Sequence, residues 1–380
     1  MRILLFSPGS TVHTERFTKL LLDAGHEIVL ADEVDPRLLS HPNYRFIRFR
    51  ATYLRGERFS PVGKLGKMIR RSQIKSVIDR ARADIVHIHW IDFRADLCTQ
   101  LKVHPLVLTA WGTDINHLFL DSRQPREGSQ HMGDALAHAD LITADSDEIL
   151  RRCEVLAGRK LNTCIFHIGV NVDVFGGDLA GASTIKKRLG IPDSWRVILN
   201  ARRIHPSLGT MHVLKGFAEV AWDIPNLCLV FRQYNGNFEV EQSLRSTIKN
   251  LGLESRTFWL KGTSYSEVPL HYALADVVVN YPDEDAFPVS LLEAALARRC
   301  IVTSDLPVYR EVFNKEVIYV PPGNQKLLGQ ALRAVLEEDP HEGNGRIEAA
   351  ARIAAIVGSP RINVENLMRS YATLKKILTN

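Results

Sequence analysis

The sequence predicts an α/β protein made of two doubly wound, Rossmann-like halves, and three observations carry that reading. Short apolar runs alternate with amphipathic helical stretches from the first residue onward, as expected of a parallel sheet covered on both faces. The alternation runs through one full series, stops, and begins again. At 380 residues the chain is also too long for a single hydrophobic core and suits two domains.

In chain order, the first series predicts strands at 3–6, 28–31, 45–49, 85–90, 106–110, 141–144 and 164–168, with helices filling the gaps. The first of those helices runs over about 14–24 and ends at Gly25. Residues 169–182, GVNVDVFGGDLAGA, are rich in glycine and poor in periodicity, which marks a linker. The second series predicts strands at 197–201, 227–231, 257–260, 277–280, 300–303 and 317–320. A last helical pattern follows Pro360. The expected organisation is therefore a first domain over 1–168, a linker over 169–182, a second domain over 183–360 and a terminal helix over 361–380. Ligands of such open sheets bind beyond the carboxyl ends of the strands. A catalytic site is accordingly expected in a cleft between the two domains.

Composition narrows the function. Hydrophobic residues make up 45% and charged residues 24%, the values of an ordinary soluble globular protein. No apolar run approaches the length of a membrane span, and the run in MRILLFSPGS is too short for a signal peptide, so a cytoplasmic location is expected. Cys98, Cys153, Cys164, Cys228 and Cys300 show neither C-x-x-C spacing nor even pairing and read as reduced core residues. The formal charge of +5 is unevenly spread: from Arg45 to Arg82 there are 12 Lys or Arg against Glu57 and Asp79. That stretch is a solvated face, a platform for anionic lipid headgroups at the inner face of a membrane, or a docking site for a charged acceptor. Nucleic acid is disfavoured, because Tyr53 and Phe59 are too few for a stacking platform.

The chemistry is expected at strand ends. In DAFPVSLLEAALARRCIVTSDLPVYRE, Asp285 precedes a helix and Glu293 lies about one and a half turns inside it. Pro288 suits the first helical position. The free N–H groups of that helix start, near Phe287, Pro288 and Val289, form a seat for phosphate. Arg202 and Arg203 follow the strand 197–201, and Arg232 follows the next; arginine grips phosphate through paired charge-assisted bonds. In the first half, Ser10 closes a loop after the first strand and His13 follows it. That loop lacks both G-x-G-x-x-G and G-x-x-x-x-G-K-[ST], which removes the main support for a dinucleotide dehydrogenase or P-loop ATPase. His87 and His89 share one strand face but have no evident third ligand, so no metal is expected. Trp111 and Asp114 follow the strand 106–110; an indole suits stacking on a sugar ring, or burial in the core.

These motifs resemble the retaining, nucleotide-sugar-dependent glycosyltransferases of family 4, whose motif E-x7-E is followed by LEAMA and G-x-P-V-I-A-T/S. The resemblance continues through SDLPVYREV and VIYVPPGN and spans nearly the whole chain. It implies the GT-B fold, a last helix that crosses back onto the first domain, no cofactor or metal, and transfer of a sugar from a nucleotide diphosphate to a hydroxyl acceptor. By resemblance, Asp285 holds the donor sugar, Glu293 the ribose, and Arg203 the diphosphate. Ser10, His13, His89, Trp111 and Asp114 then fall on the acceptor side. The sequence departs from the family pattern at several places. Asp285 replaces the first glutamate, Ala286-Phe287-Pro288 stands for G-F-G, and Arg298 and Cys300 stand for the later glycine and proline. In G-R-L-x-x-x-K-G, Leu208 takes the position of the lysine, with Arg232, or more weakly Lys215, as replacement charge. Trp111 takes the position of the histidine in H-G-x-D. A catalytically silent binding protein, or an epimerase or phosphorylase on the same scaffold, is the alternative reading.

Overall fold

A computed structural model describes residues 1–7, 11–49, 61–120, 124–177, 181–233, 236–261, 267–287 and 289–379. Ser10, Pro288 and residues 50–60 of the basic stretch lie outside them. The chain divides into two compact units, Met1–Ile168 with Pro360–Asn380, and Gly169–Ser359.

Seven parallel strands form the sheet of the first unit: β1 (Arg2–Ser7), β2 (Glu27–Asp32), β3 (Tyr44–Arg48), β4 (Ile85–His89), β5 (Leu106–Thr109), β6 (Leu141–Ala144) and β7 (Thr163–Ile165). Their order is β3-β2-β1-β4-β5-β6-β7, so the winding reverses between β1 and β4, where Phe6 pairs with Ile88. Six parallel strands form the second sheet: β8 (Arg196–Asn200), β9 (Leu227–Gln233), β10 (Thr257–Lys261), β11 (Val277–Asn280), β12 (Cys300–Ser304) and β13 (Ile318–Val320). Their order, β10-β9-β8-β11-β12-β13, reverses between β8 and β11. These reversal points are where open α/β sheets bind ligands.

Strand alternation explains how both faces are filled. Ile198, Leu229, Phe231, Val277 and Val279 pack into one core of the second unit, while Val197, Leu199, Cys228, Val230 and Val278 pack into the other. The second core also receives Leu291 and Leu292 of the helix Val289–Leu296. In the first unit, Val364, Leu367, Tyr371 and Leu374 of the helix Pro360–Thr379 join the core made by Ile3, Leu5, Ile28 and Leu30. That helix is thus part of the first unit's core rather than a tail. All five cysteines are free, four of them buried. Burial pushes the Cys98 and Cys228 thiols up to about 12, which leaves them as inert core residues. No helix among the described residues is long and apolar enough to cross a membrane.

Two expectations shift in detail. The segment 169–182 is not featureless, because Asn171 caps a short helix, Val172–Gly176, through its side chain. The strand expected over 85–90 ends at His89, because Trp90 adopts a left-handed backbone with φ of 67°.

Candidate functional site

The second unit gathers its charged groups where β8 and β11 end. Beyond Asn200 the chain leaves the sheet as Ala201-Arg202-Arg203, and Arg202 Nη1 donates to Asp285 Oδ2 at 2.6 Å. The Tyr309 hydroxyl donates to the same oxygen at 2.8 Å, and the Ala286 N–H donates to Oδ1 at 2.9 Å. Asn280 Nδ2 donates to the Tyr309 hydroxyl, and Asn200 Nδ2 to the Arg202 carbonyl, both at 3.0 Å. Burial, then the Asp285 carboxylate, pushes the Tyr309 phenol well above its usual value, so it stays protonated and serves as a donor. The shorter first acid is therefore held by a cation, a phenol and an amide.

Gly209 fixes the same loop from its other end. It lies at φ 65°, and a Cβ there would meet the Tyr281 carbonyl oxygen at 1.7 Å. Only glycine fits so close to the backbone just past β11. Leu208, beside it, is buried.

A second group lies around Glu293. Its Oε2 accepts from the buried Tyr272 hydroxyl at 2.8 Å. The Arg232 guanidinium sits 5.9 Å from the Tyr272 ring centre, and its Nη1 donates to the Ala201 carbonyl at 3.0 Å. Arg232 is buried, whereas Arg203 is exposed and makes no hydrogen bond or ion pair among the described residues. Lys215 lies exposed in the helix Thr210–Ala221. The Phe287 side chain turns inward onto Tyr309 and Phe313, so only its backbone is left to meet a ligand. The helix after it begins at Val289.

The first unit places a polar network in its core. His87 Nε2 lies 2.6 Å from the Thr109 hydroxyl and Nδ1 2.6 Å from the Tyr371 hydroxyl, which comes from the last helix. Both ring nitrogens are occupied, and burial lowers the His87 pKa to about 3. His89 Nδ1 lies 3.3 Å from the Ser7 hydroxyl, itself 2.6 Å from that of Thr14. Burial first, then the neighbouring His87, Arg94 and His13, holds His89 well below the ordinary value and therefore neutral. Its Nε2 has no partner among the described residues.

Trp111 is half-buried, with its ring 4.9 Å from that of His13 and 5.4 Å from that of His89. Asp114 is fully buried, with Oδ1 accepting from the Trp111 N–H and Oδ2 from the Ile91 N–H, both at 2.9 Å. These bonds tie together the loops after β4 and β5. Burial raises its pKa to about 6, against the pull of those N–H bonds. Among the described residues, no group of three or more His, Cys, Asp or Glu could hold a metal ion.

Sequence reasoning passed over Tyr272, Asn280, Tyr309, Tyr371 and Arg94. Tyr309 stands inside SDLPVYRE, two residues past Pro307, but nothing local distinguishes a phenol aimed at Asp285 from a core tyrosine. Tyr371 and His87 are 284 positions apart.

Known proteins share both units. Residues 2–146 match the family model described as Glycosyl transferase 4-like, and residues 182–353 that of Glycosyl transferases group 1. The chain is 25% identical over 100 residues to the O-antigen chain mannosyltransferase RfbU of Salmonella typhimurium, covering 26% of this chain and 28% of that protein. It therefore spans less than a third of that relative's length. It is 26% identical over 293 residues to the GDP-mannose:cellobiosyl-diphosphopolyprenol alpha-mannosyltransferase of Xanthomonas oryzae pv. oryzae, covering 74% and 70% of the two chains. The solved glycosyltransferase of Rickettsia africae shares the fold with a TM-score of 0.80, at 15% identity over 98% of each chain. Each unit thus matches a glycosyltransferase family model, and the two-unit fold is the one seen in that solved glycosyltransferase.

Proposed function

We propose that this protein transfers a sugar from a nucleotide diphosphate sugar to a hydroxyl of a sugar acceptor, with retention at the anomeric carbon. The observation that carries the reading is the set of groups at the β8 and β11 ends: Asp285 held by Arg202 and Tyr309, beside an exposed Arg203 and the start of the helix Val289–Leu296. As the glycosidic bond breaks, the diphosphate gains negative charge and the sugar becomes oxocarbenium-like. Arg203 and the helix start stabilise the leaving group, Asp285 positions the sugar, and the departing phosphate oxygen takes the acceptor proton. One preorganised charge contact of this kind is worth on the order of 3 kcal/mol, or about a hundredfold in rate. GDP-mannose is the first donor to test, since a relative's name specifies it and another relative is named a mannosyltransferase.

The test is a panel of nucleotide diphosphates and their sugars. GDP-mannose or another member is expected to raise the melting temperature by mass action and to be hydrolysed slowly without acceptor. Glu293→Gln, which keeps the side chain's shape, is expected to weaken nucleotide affinity about tenfold, a loss of roughly 1.4 kcal/mol. If no nucleotide binds, the proposal fails. Binding without turnover identifies the silent homologue, and turnover that requires inorganic phosphate identifies a phosphorylase.

Contact with an anionic membrane belongs to the same proposal. It is supported by the helix Pro61–Ala81, which exposes Leu65 (54%) and Met68 (68%) between the exposed Lys64, Lys67, Arg71 and Lys75. Phosphatidylglycerol vesicles are expected to sediment the protein and phosphatidylcholine vesicles to leave it in solution. Met68→Asp should abolish sedimentation, and equal binding to both lipids would rule out the electrostatic component.

A further inference from the structure

We infer that Trp90 is the stacking platform for the acceptor's sugar ring, a role that rests on the transferase reading above and specifies its acceptor as a carbohydrate. Trp90 lies just past β4, at the point where the winding of the first sheet reverses between β1 and β4. Its indole is 43% exposed. Its backbone φ of 67° is one that a bulky side chain rarely adopts. Glycine or asparagine would adopt that backbone with less strain, and a residue needed for packing would be buried.

The surrounding backbone holds the conformation in place. The Trp90 N–H donates to the Thr109 carbonyl at 3.1 Å, and the next N–H, of Ile91, goes to the buried Asp114. The preceding carbonyl, of His89, accepts from Arg94 Nη2 at 3.3 Å. Arg94 is itself buried and tied to Asp92 at 2.9 Å and to Asp32. Two charged groups and a strand edge therefore fix the backbone on either side of an indole that faces water. Local strain maintained by its surroundings and paired with an exposed aromatic is the pattern of a ligand contact.

An exposed indole face suits the C–H face of a pyranose. Trp111, the other aromatic considered for stacking, is half-covered by His13 and His89.

The experiment uses the full chain and three probes, methyl α-mannoside, methyl β-glucoside and cellobiose, followed by saturation-transfer NMR. Wild type is expected to bind at least one. Trp90→Phe should retain that affinity within about threefold, and Trp90→Asn should lower it by about tenfold or more. Because asparagine tolerates the left-handed conformation, Trp90→Asn should melt no earlier than wild type. A wild type that binds none of the probes, unchanged binding in Trp90→Asn, or an earlier melt of that variant would each overturn the assignment. Affinity for the nucleotide panel, measured by calorimetry on wild type, separates the two proposals: absent binding of every member defeats the transferase reading, whereas unchanged sugar binding in Trp90→Asn defeats only this one.

Discussion

Replacing Arg203 by alanine is expected to lower turnover at saturating donor about a hundredfold while leaving the melting temperature unchanged. The two halves of that expectation have different origins. Turnover should fall because, on the proposed reading, this guanidinium meets the diphosphate as its charge grows, and alanine would leave that charge unopposed. Stability holds because Arg203 is exposed and unpaired among the described residues, and surface substitutions of that kind stay within about 0.5 kcal/mol. Arg202→Ala should behave differently. It strands Asp285, whose side chain is 14% exposed, without its 2.6 Å partner, and should destabilise the fold by about 2 kcal/mol as well as slow the reaction. Steady-state kinetics with calorimetric melting of both variants separate the roles. A turnover number unchanged in Arg203→Ala removes that residue from the mechanism and leaves Arg202 as the candidate cation.

Acidification is expected to destabilise the protein between about pH 6.5 and 4. In the fold, burial holds His87 at about 3 and both His167 and His271 at about 4, and His89 lies well below the ordinary value of 6.5. Since the folded values are depressed, the unfolded chain takes up protons first as pH falls below 6.5. Stability is therefore fully present above that value and declines as pH drops toward the folded values. Each such group contributes up to about 1.4 kcal/mol per pH unit. Asp114 runs the other way, because its raised value, about 6, lets the folded state bind a proton first between pH 6 and 4. The histidines held low by the fold outnumber the raised carboxyls of Asp114 and Asp32, so the net is a loss of on the order of a few kcal/mol per pH unit. Melting followed from pH 7 to 5 measures it, and His87→Gln should flatten the profile by about one proton's share. A profile flat in the wild type would mean that these imidazoles carry protons inside the fold.

The alternation of apolar run and amphipathic stretch is a local property of the chain, and it located the thirteen strands found among the described residues to within a few residues. Strands buried on both faces have to be apolar along their length, so the central strands are visible without knowledge of their neighbours, whereas the edge strands β3 and β7 are partly exposed. The Asp285 to Glu293 spacing and the arginine pair after β8 were legible for the same reason: each lies within one element and its adjoining loop. The division of labour between Arg202 and Arg203 was not. Two consecutive arginines look alike in sequence, and only the position of β11 beside β8 brings Asp285 to one of them.

Asp114 and Trp90 show the same boundary. An aspartate after a strand reads as a ligand group, yet Asp114 is fully buried and accepts the Ile91 N–H from the loop after β4. Trp90 reads as the last residue of a strand until its φ is known. The sequence alone thus determined the fold class, the order of elements and the stretches where charge concentrates, because periodicity and residue type act over a few residues. Tertiary structure decided which side chains are already occupied and which remain for a ligand. That depends on hydrogen bonds between elements as distant as His87 and Tyr371, and no local pattern encodes them.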